Sequence, residues 1–209
     1  DQPATTEGLI DLSKEFERAW FRIEDNALDW LLDLGGQLSD EQMASFVEGV
    51  WEEQEKYEKK YLKRSDEEFY EDTLENFLDN ASDYIGRLSP EQRQMLEKAN
   101  GDLLRSDSAW LGDRADWLRQ LQAMLQREPG WQLRVREAVE DRRGDSPPEF
   151  QKVYDHNLTV IRQSIVDLLN SRSEKQDRYL RGRISDLRAD LEKLIDQGEK
   201  KGQGETEPR

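Results

Sequence analysis

Cysteine is absent from this 209-residue sequence, and histidine occurs once, at His156. Without cysteine, a disulfide framework, a thiolate metal site and a cysteine nucleophile are excluded. No histidine or glutamate stands near His156 at the spacing of a zinc or di-iron helix motif. A Gly-x-Ser-x-Gly elbow and a phosphate-binding glycine loop are also missing. We therefore expect a non-enzymatic protein with no catalytic residues, no metal and no cofactor.

Long apolar runs are also lacking. No stretch approaches the roughly 18 to 20 apolar residues that a membrane span requires, and no basic-then-apolar signal segment occurs. Residues 1–8 predict a flexible leader, either the remainder of a processed precursor or simply the chosen start of the chain. We therefore expect the protein to attach to a membrane only through a lipid anchor, which this sequence does not contain.

Basic residues are too few to balance the acidic ones, and the net charge is −16. Residues 1–86 hold 24 acidic and 8 basic side chains, whereas residues 87–209 hold 23 of each. This distribution argues against nucleic acid as a partner, because phosphates are neutralised by lysine and arginine. The acidic part is interpreted as a solvated helical hairpin or as a face that attracts a cationic or unfolded protein segment.

Apolar residues make up only 34% of the chain, but they recur at helical spacing. This pattern predicts an all-α fold, an elongated bundle of about six or seven helices in helical hairpins with narrow buried seams. A helical domain is expected over 9–197, with a possible sub-boundary near 86–89 and a disordered tail over 198–209. Whether this is one domain or two stays open.

Three similar segments predict helix starts. They are 39–42, 89–92 and 173–176, and each begins with serine and ends with glutamine. Serine accepts a hydrogen bond from a free backbone N–H, and the glutamine can reach back to the cap. The intervals of 50 and 84 residues exclude a fixed-period solenoid.

The predicted helices follow from the apolar spacing and from these start signals. The first runs from Leu9 to Leu34, where Gly35-Gly36 ends it, and its seam is expected to pack along another helix. The junction at 64–66 is expected to be a hairpin or a bend in a continuous helix. A break is allowed between Asn100 and Ser108. The remaining helices start at Ser39, Ser65, Ser89, Trp131 and Glu149, and the last spans Ser173 to Gln197 after a loop over 143–148.

Aromatic side chains offer the one candidate site. Two tryptophans of the predicted fourth helix are one heptad apart, and other aromatics lie among charges on the second helix. Such residues are most often core, but on a shallow concave surface they would form an adaptable protein-binding face. The predicted protein-binding surface consists of Trp51, Glu53, Tyr57, Tyr61, Trp110 and Trp117.

Several segments together resemble a known family. They are 38–42, 53–62, 65–68 and 85–93, followed by Trp110 and Trp117. The sequence resembles, from about Leu28 to Leu194, a family of all-helical lipoproteins of Gram-negative bacteria that has no assigned function. The resemblance implies a periplasmic location with tethering to the outer membrane, and it transfers no catalytic residues. The lipidated cysteine and the further Leu/Trp-rich segment of such proteins are missing here.

A weaker likeness concerns periplasmic chaperones of the Spy and CpxP type. Their Leu-Thr-x-x-Gln motif is matched by residues 38–42 and 88–92 with serine in place of threonine, although helix capping alone also explains these residues. We therefore expect an envelope protein that binds another protein, with a holdase-type chaperone for unfolded or cationic clients as the alternative. The oligomeric state is not predicted.

Overall fold

The computed structural model describes residues 3–143 and 147–204, and within these ranges it contains eight helices and no strand. The predicted all-α fold is confirmed. The helices are α1 (Thr6–Gln37), α2 (Asp40–Tyr61), α3 (Asp66–Ile85), α4 (Pro90–Gly101), α5 (Asp107–Met124), α6 (Trp131–Arg142), α7 (Pro148–Asn170) and α8 (Glu174–Gly204).

Serine caps begin four of these helices. Ser39, Ser65 and Ser89 each form a complete capping box with the side chain three residues later. At the start of α8, Ser173 Oγ accepts from the N–H of Gln176, and the N–H of Ser173 donates to the Gln176 side chain. The predicted helix starts are confirmed at all three glutamine-containing segments, because each box satisfies backbone N–H groups that the helix leaves free.

The predicted fourth helix is two helices. α4 ends at Gly101 and α5 begins at Asp107, so the break allowed between Asn100 and Ser108 is present. Buried Leu103 anchors the connection. This break accounts for the eighth helix.

The prediction that Gly35-Gly36 ends the first helix is wrong. α1 begins at Thr6 and continues through both glycines to Gln37. Gly35 is buried, and a Cβ atom added there would lie 3.0 Å from Cη2 of Trp131. The missing side chain of Gly35 therefore leaves room for Trp131. A glycine inside a helix costs about 1 kcal/mol of stability relative to alanine.

The main apolar core lies where α3, α4, α7 and α8 meet. Ile85, Leu88, Leu96 and Leu168 are buried there against partly buried side chains of α3 and against Leu180. The 86–89 connection thus borders the core, and Gly86 takes a left-handed φ of 76° in it. Residues of four helices are needed to complete this cluster because each helix contributes only a narrow apolar stripe.

α2 and α3 find different partners. α2 packs along α5, and α3 packs against α4 and α8. A turn over 62–64 and the cap at Ser65 interrupt the helix, so the continuous bent helix considered for this junction is wrong. α7 contacts α1, α4 and α5, and α6 contacts α5.

Two predicted seams are not buried. The α1 seam is exposed at Leu12, Phe16, Trp20 and Ile23. The seam predicted for the last helix consists of Tyr179, Leu180, Ile184, Leu187, Leu191 and Leu194, and all of these except Leu180 are exposed. The inward side of α1 instead uses Ile10, Phe21, Leu28 and Leu32. The amphipathic pattern was identified correctly, but these faces meet no helix of the described chain.

The predicted end of the last helix is also wrong, because α8 extends past Gly198 to Gly204. Glycine weakens a helix without necessarily ending it. Parts of the predicted leader, loop and tail lie outside the described residues, namely residues 1–2, 144–146 and 205–209. Among the described residues, no helix combines the length and the apolar content that crossing a membrane requires.

Candidate functional site

Three of the six predicted surface residues form an aromatic cluster between α2 and α5. The ring centroids of Tyr57, Tyr61 and Trp110 lie 5.7 to 6.1 Å from one another. All three side chains are half-buried. Aromatic pairs at such distances stabilise a helix contact, so the cluster holds α2 against α5 while one side faces solvent.

The other predicted residues lie apart from this cluster. Trp51 donates from Nε1 to Oε1 of Gln122 at 2.8 Å, further along the same helix pair. Glu53 is exposed and forms an ion pair with Lys56 on its own helix. These two residues line the α2–α5 contact and the adjacent surface.

Trp117 faces a different neighbour from Trp110. The guanidinium of Arg142 lies 5.2 Å from the Trp117 ring centroid, and Arg142 also pairs with the buried carboxylate of Asp113. The seven-residue spacing placed both tryptophans on α5, but one contacts α2 and the other contacts α6. The six predicted residues therefore do not form one continuous face, and their role in binding stays a prediction.

An ionic cluster stands next to the aromatic one. Asp107, which is 5% exposed, accepts from Arg64 at 2.5 and 2.8 Å and from Arg105 at 3.0 Å. Arg105 also donates to Asp66 and to the carbonyls of Tyr61 and Arg64. The hydrogen bond to Asp107 raises the pKa of Arg64, and the hydrogen bond to Asp66 raises that of Arg105. The cluster ties the turn after α2 to the start of α5.

His156 takes part in packing between helices. Its Nε2 lies 2.8 Å from the carbonyl oxygen of Asp102 at the end of α4. Among the residues that the structure describes, no group of three or more histidine and acidic side chains is arranged to hold a metal ion.

The most exposed apolar surface lies on α1. We define the α1 outer face by Leu12, Phe16, Trp20, Ile23 and Leu31, whose exposed fractions run from 53% to 70%. Five large apolar side chains aligned on one exposed helix face are unusual in a monomeric protein and make this face a candidate for an interaction surface. Sequence analysis missed this site because apolar residues at helical spacing are expected to be buried.

A second exposed apolar face lies on α8. We define the α8 arm as residues 181–197, all of which are exposed. Its seam consists of Ile184, Leu187, Leu191 and Leu194. The sequence predicted this seam, but only Leu180 at its base reaches the core.

Charged residues fix the base of α8. Asp177 accepts from Arg172 at 2.7 Å and from Arg181 at 2.6 Å. These hydrogen bonds, first that of Arg181 and then that of Arg172, lower the pKa of Asp177. Arg172 precedes the helix and Arg181 begins the arm, so Asp177 links the arm to the end of α7.

The two faces differ in charge. α1 carries eight acidic and three basic residues, a net charge of −5. The stretch from Arg178 to Arg188 of α8 carries four arginines and one aspartate, a net charge of +3, whereas the α8 arm as a whole carries four basic and four acidic residues. The apolar residues of α1 are thus bordered by negative charge, and the first half of the α8 arm is bordered by positive charge.

Comparison with known proteins identifies one family. Residues 1–151 match the model of a family described as "Family of unknown function (DUF6279)". The match covers 151 of 209 residues, from α1 to the first turn of α7, and the α8 arm lies beyond it. No curated protein and no solved structure matches the chain.

Proposed function

The chain belongs to the DUF6279 family of unknown function, and on this premise we propose that it is a non-enzymatic protein of the bacterial cell envelope that binds another protein. The observation that carries the proposal is the exposed α1 outer face. Exposure of so many large apolar side chains is costly in water, at about 25 cal/mol for each Å² of apolar surface. A bound partner would remove that cost.

The chemistry of the face specifies the partner. Apolar residues spaced by three and four along α1 suit a second helix, whose side chains enter the gaps between them. The net charge of −5 on α1 favours basic residues beside the partner's apolar stripe. The proposed partner is therefore an amphipathic helix with basic flanks.

The non-enzymatic part of the proposal rests on residue content. The chain has no cysteine and one histidine, and the Nε2 atom of His156 is already in contact with a backbone carbonyl. The envelope location rests on the resemblance of this sequence to Gram-negative lipoproteins.

A holdase-type chaperone is the second candidate. The mixture of exposed aromatic residues and acidic side chains on α1 favours it, because such a surface can hold unfolded cationic segments. A holdase would suppress aggregation of an unfolded client at stoichiometric amounts, and added salt would weaken the effect. A protein with one defined helical partner would leave aggregation unchanged.

Site-specific photocrosslinking tests the proposal. A photoreactive amino acid at Trp20, on the outer face, is compared with one at Arg22, which is exposed on α1 but off that face. In cells that carry the chain in the envelope, we expect a defined crosslinked product from position 20 and none from position 22. Mass spectrometry of the product should locate a helical, basic segment.

A matched variant makes the result decisive. Phe16→Glu adds a charge one turn from Trp20, and it should abolish the crosslink without changing the circular dichroism spectrum, because Phe16 is 70% exposed and makes little contribution to the fold. Equal crosslinking at positions 20 and 22, or a product that survives Phe16→Glu, would contradict binding through this face.

A further inference from the structure

The α8 arm carries an uninterrupted heptad pattern. Ile184, Leu187, Leu191 and Leu194 follow one another at alternating spacings of three and four residues. The 17 residues of the arm extend over about 25 Å. A helix of this length is only marginally stable by itself in water, so the arm has much to gain from a partner helix.

The α1 outer face has a matching pattern. Its residues Phe16, Trp20 and Ile23, together with the neighbouring Ala27, are separated by four, three and four residues, and all four are exposed. The stretch from Leu12 to Leu31 extends over about 30 Å. The two seams therefore agree in period and in length, and each could fill the gaps of the other.

We infer that two copies of this chain associate, with the α8 arm of each copy packed antiparallel along the α1 outer face of the other. This inference rests on the proposed function, because it identifies the helix that the face binds as one with arginine beside its seam at positions 181, 183 and 188. A single kind of contact, between the α1 outer face of one copy and the α8 arm of the other, covers both exposed seams. A two-fold axis repeats this contact. The opposite charges of α1 and of the start of the arm attract each other in this arrangement.

The positions beside the seams decide the direction. When Trp20 is level with Leu187 of the second copy in antiparallel order, Glu17 and Arg188 of that copy flank the seam on the same side, two residues out of level. By the same register, Glu24, which pairs with Arg143 of its own chain, comes near Arg181 of the second copy, which pairs with Asp177. Opposite charges at flanking positions set partner choice and orientation in paired helices.

Other pairings are less favourable. Parallel packing of the arm on α1 would put Asp190 beside Glu24 when Leu191 is level with Trp20. With Ile184 level with Trp20, it would form one attractive pair, Arg183 with Glu24, where the antiparallel order forms two. Two arms packed antiparallel would bring Arg188 beside its own counterpart, and in parallel order Arg183 would meet Arg188. Two copies of α1 would join helices that each carry a net charge of −5. The reciprocal contact between α1 and α8 avoids all of these repulsions.

Charge exchange in the full chain tests the inference. Sedimentation equilibrium should give a dimer for the unchanged protein. Glu17→Arg and Arg188→Glu should each raise the dimer dissociation constant about tenfold, since each reverses a pair that occurs twice. The double variant should restore the original value. A monomer at all concentrations, or no restoration in the double variant, would overturn the inference.

Two control variants carry the same charge changes at other positions. Glu15→Arg on α1 and Lys193→Glu on the α8 arm are exposed but stand away from the seams. Both should leave the dissociation constant within about twofold of that of the unchanged protein. If these variants weaken the dimer as much as Glu17→Arg and Arg188→Glu, the proposed register is wrong.

Mixing two defective chains distinguishes the α1–α8 contact from self-pairing. Trp20→Lys damages only the α1 face, and Leu191→Lys damages only the arm, so each variant alone should be monomeric. Their mixture retains one intact arm and one intact face, and it should form a mixed dimer. Self-pairing of α1 would leave Leu191→Lys dimeric by itself, and self-pairing of α8 would leave Trp20→Lys dimeric by itself. Either result, or a mixture that stays monomeric, would overturn the inference.

The inference and the proposed function can fail separately. If the chain is monomeric but position 20 still crosslinks to a different protein, the proposed function stands and the second copy is not the partner. If Arg188→Glu abolishes the position 20 crosslink, the captured segment should be the α8 arm, and peptide mass spectrometry must find it. If the unchanged chain is monomeric and position 20 also gives no crosslinked product, both proposals are contradicted.

Discussion

The side chains of Gln92 and Gln176 donate hydrogen bonds to each other. Nε2 of Gln176 lies 2.8 Å from Oε1 of Gln92, and Nε2 of Gln92 lies 3.2 Å from Oε1 of Gln176. Each glutamine also completes the capping box of its own helix. The two helix starts that the sequence shows as separate copies are therefore joined in the structure, and they hold α4 and α8 together.

Replacing either glutamine should cost more than losing a helix cap. Gln92→Ala or Gln176→Ala removes both hydrogen bonds of the buried pair. The remaining amide keeps its capping bond and one other contact, Gln92 with Ser171 or Gln176 with Arg87, and we expect a loss of about 2 kcal/mol in the free energy of unfolding. Gln42→Ala is the matched control, because Gln42 completes an equivalent box on an exposed helix start, and it should cost about 1 kcal/mol or less. Urea denaturation measures all three. Equal losses would mean that the glutamine pair adds nothing to stability.

Asp107 should be the most sensitive charged residue. Asp107→Asn leaves the guanidinium groups of Arg64 and Arg105 facing each other without the carboxylate, which should cost about 3 kcal/mol. Asp116→Asn is the control, since Asp116 pairs with Arg119 on the exposed side of α5, and it should change stability by less than about 0.5 kcal/mol. Thermal unfolding, monitored by circular dichroism, distinguishes the effect of Asp107→Asn from that of Asp116→Asn. A small effect of Asp107→Asn would show that water replaces the carboxylate.

The two adjacent glycines of α1 should respond differently to substitution. Gly35→Leu would force its side chain into Trp131 and should destabilise the protein by about 1 to 3 kcal/mol. Gly36→Leu meets only the end of a glutamine side chain at 3.5 Å, and higher helix propensity should leave stability unchanged or improve it by up to about 1 kcal/mol. Differential scanning fluorimetry tests the pair. Similar melting temperatures would indicate that α6 shifts freely.

The attachment of the α8 arm should depend on pH through Asp177. Its lowered pKa means that the carboxylate stabilises the folded state above the ordinary aspartate pKa of about 3.9, and this contribution is lost as pH falls through the lowered value. At pH 7, Asp177→Asn should therefore speed amide hydrogen exchange near the base of α8. The difference from the unchanged chain should disappear at a pH below the lowered pKa. Asp190→Asn, further along the arm, should leave exchange at the base unchanged.

Much of the fold could be predicted from local signals. Serine three residues before glutamine or glutamate, as at Ser39, Ser65 and Ser89, marks a helix start because the cap satisfies neighbouring backbone groups. Such signals require no knowledge of distant contacts. The end of α1 was missed because the role of Gly35 depends on Trp131, which is almost a hundred residues away.

The candidate surface was harder to predict. Of the six predicted surface residues, Tyr57, Tyr61 and Trp110 come together between α2 and α5, whereas Trp117 contacts α6, and the spacing of these residues in the sequence does not specify that grouping. The α1 outer face was expected to be core. Periodicity identifies an apolar stripe, but it does not indicate whether another helix of the same chain covers that stripe.

The sequence by itself determined the helices, their starts and the apolar stripe along each of them, because these depend on residues within a few turns of one another. Only the tertiary structure decided which stripes are covered. α3, α4 and α7 bury theirs around Ile85 and Leu168, whereas α1 and the α8 arm leave Trp20 and Leu191 exposed. That division depends on contacts between residues far apart in the chain, which local spacing does not specify.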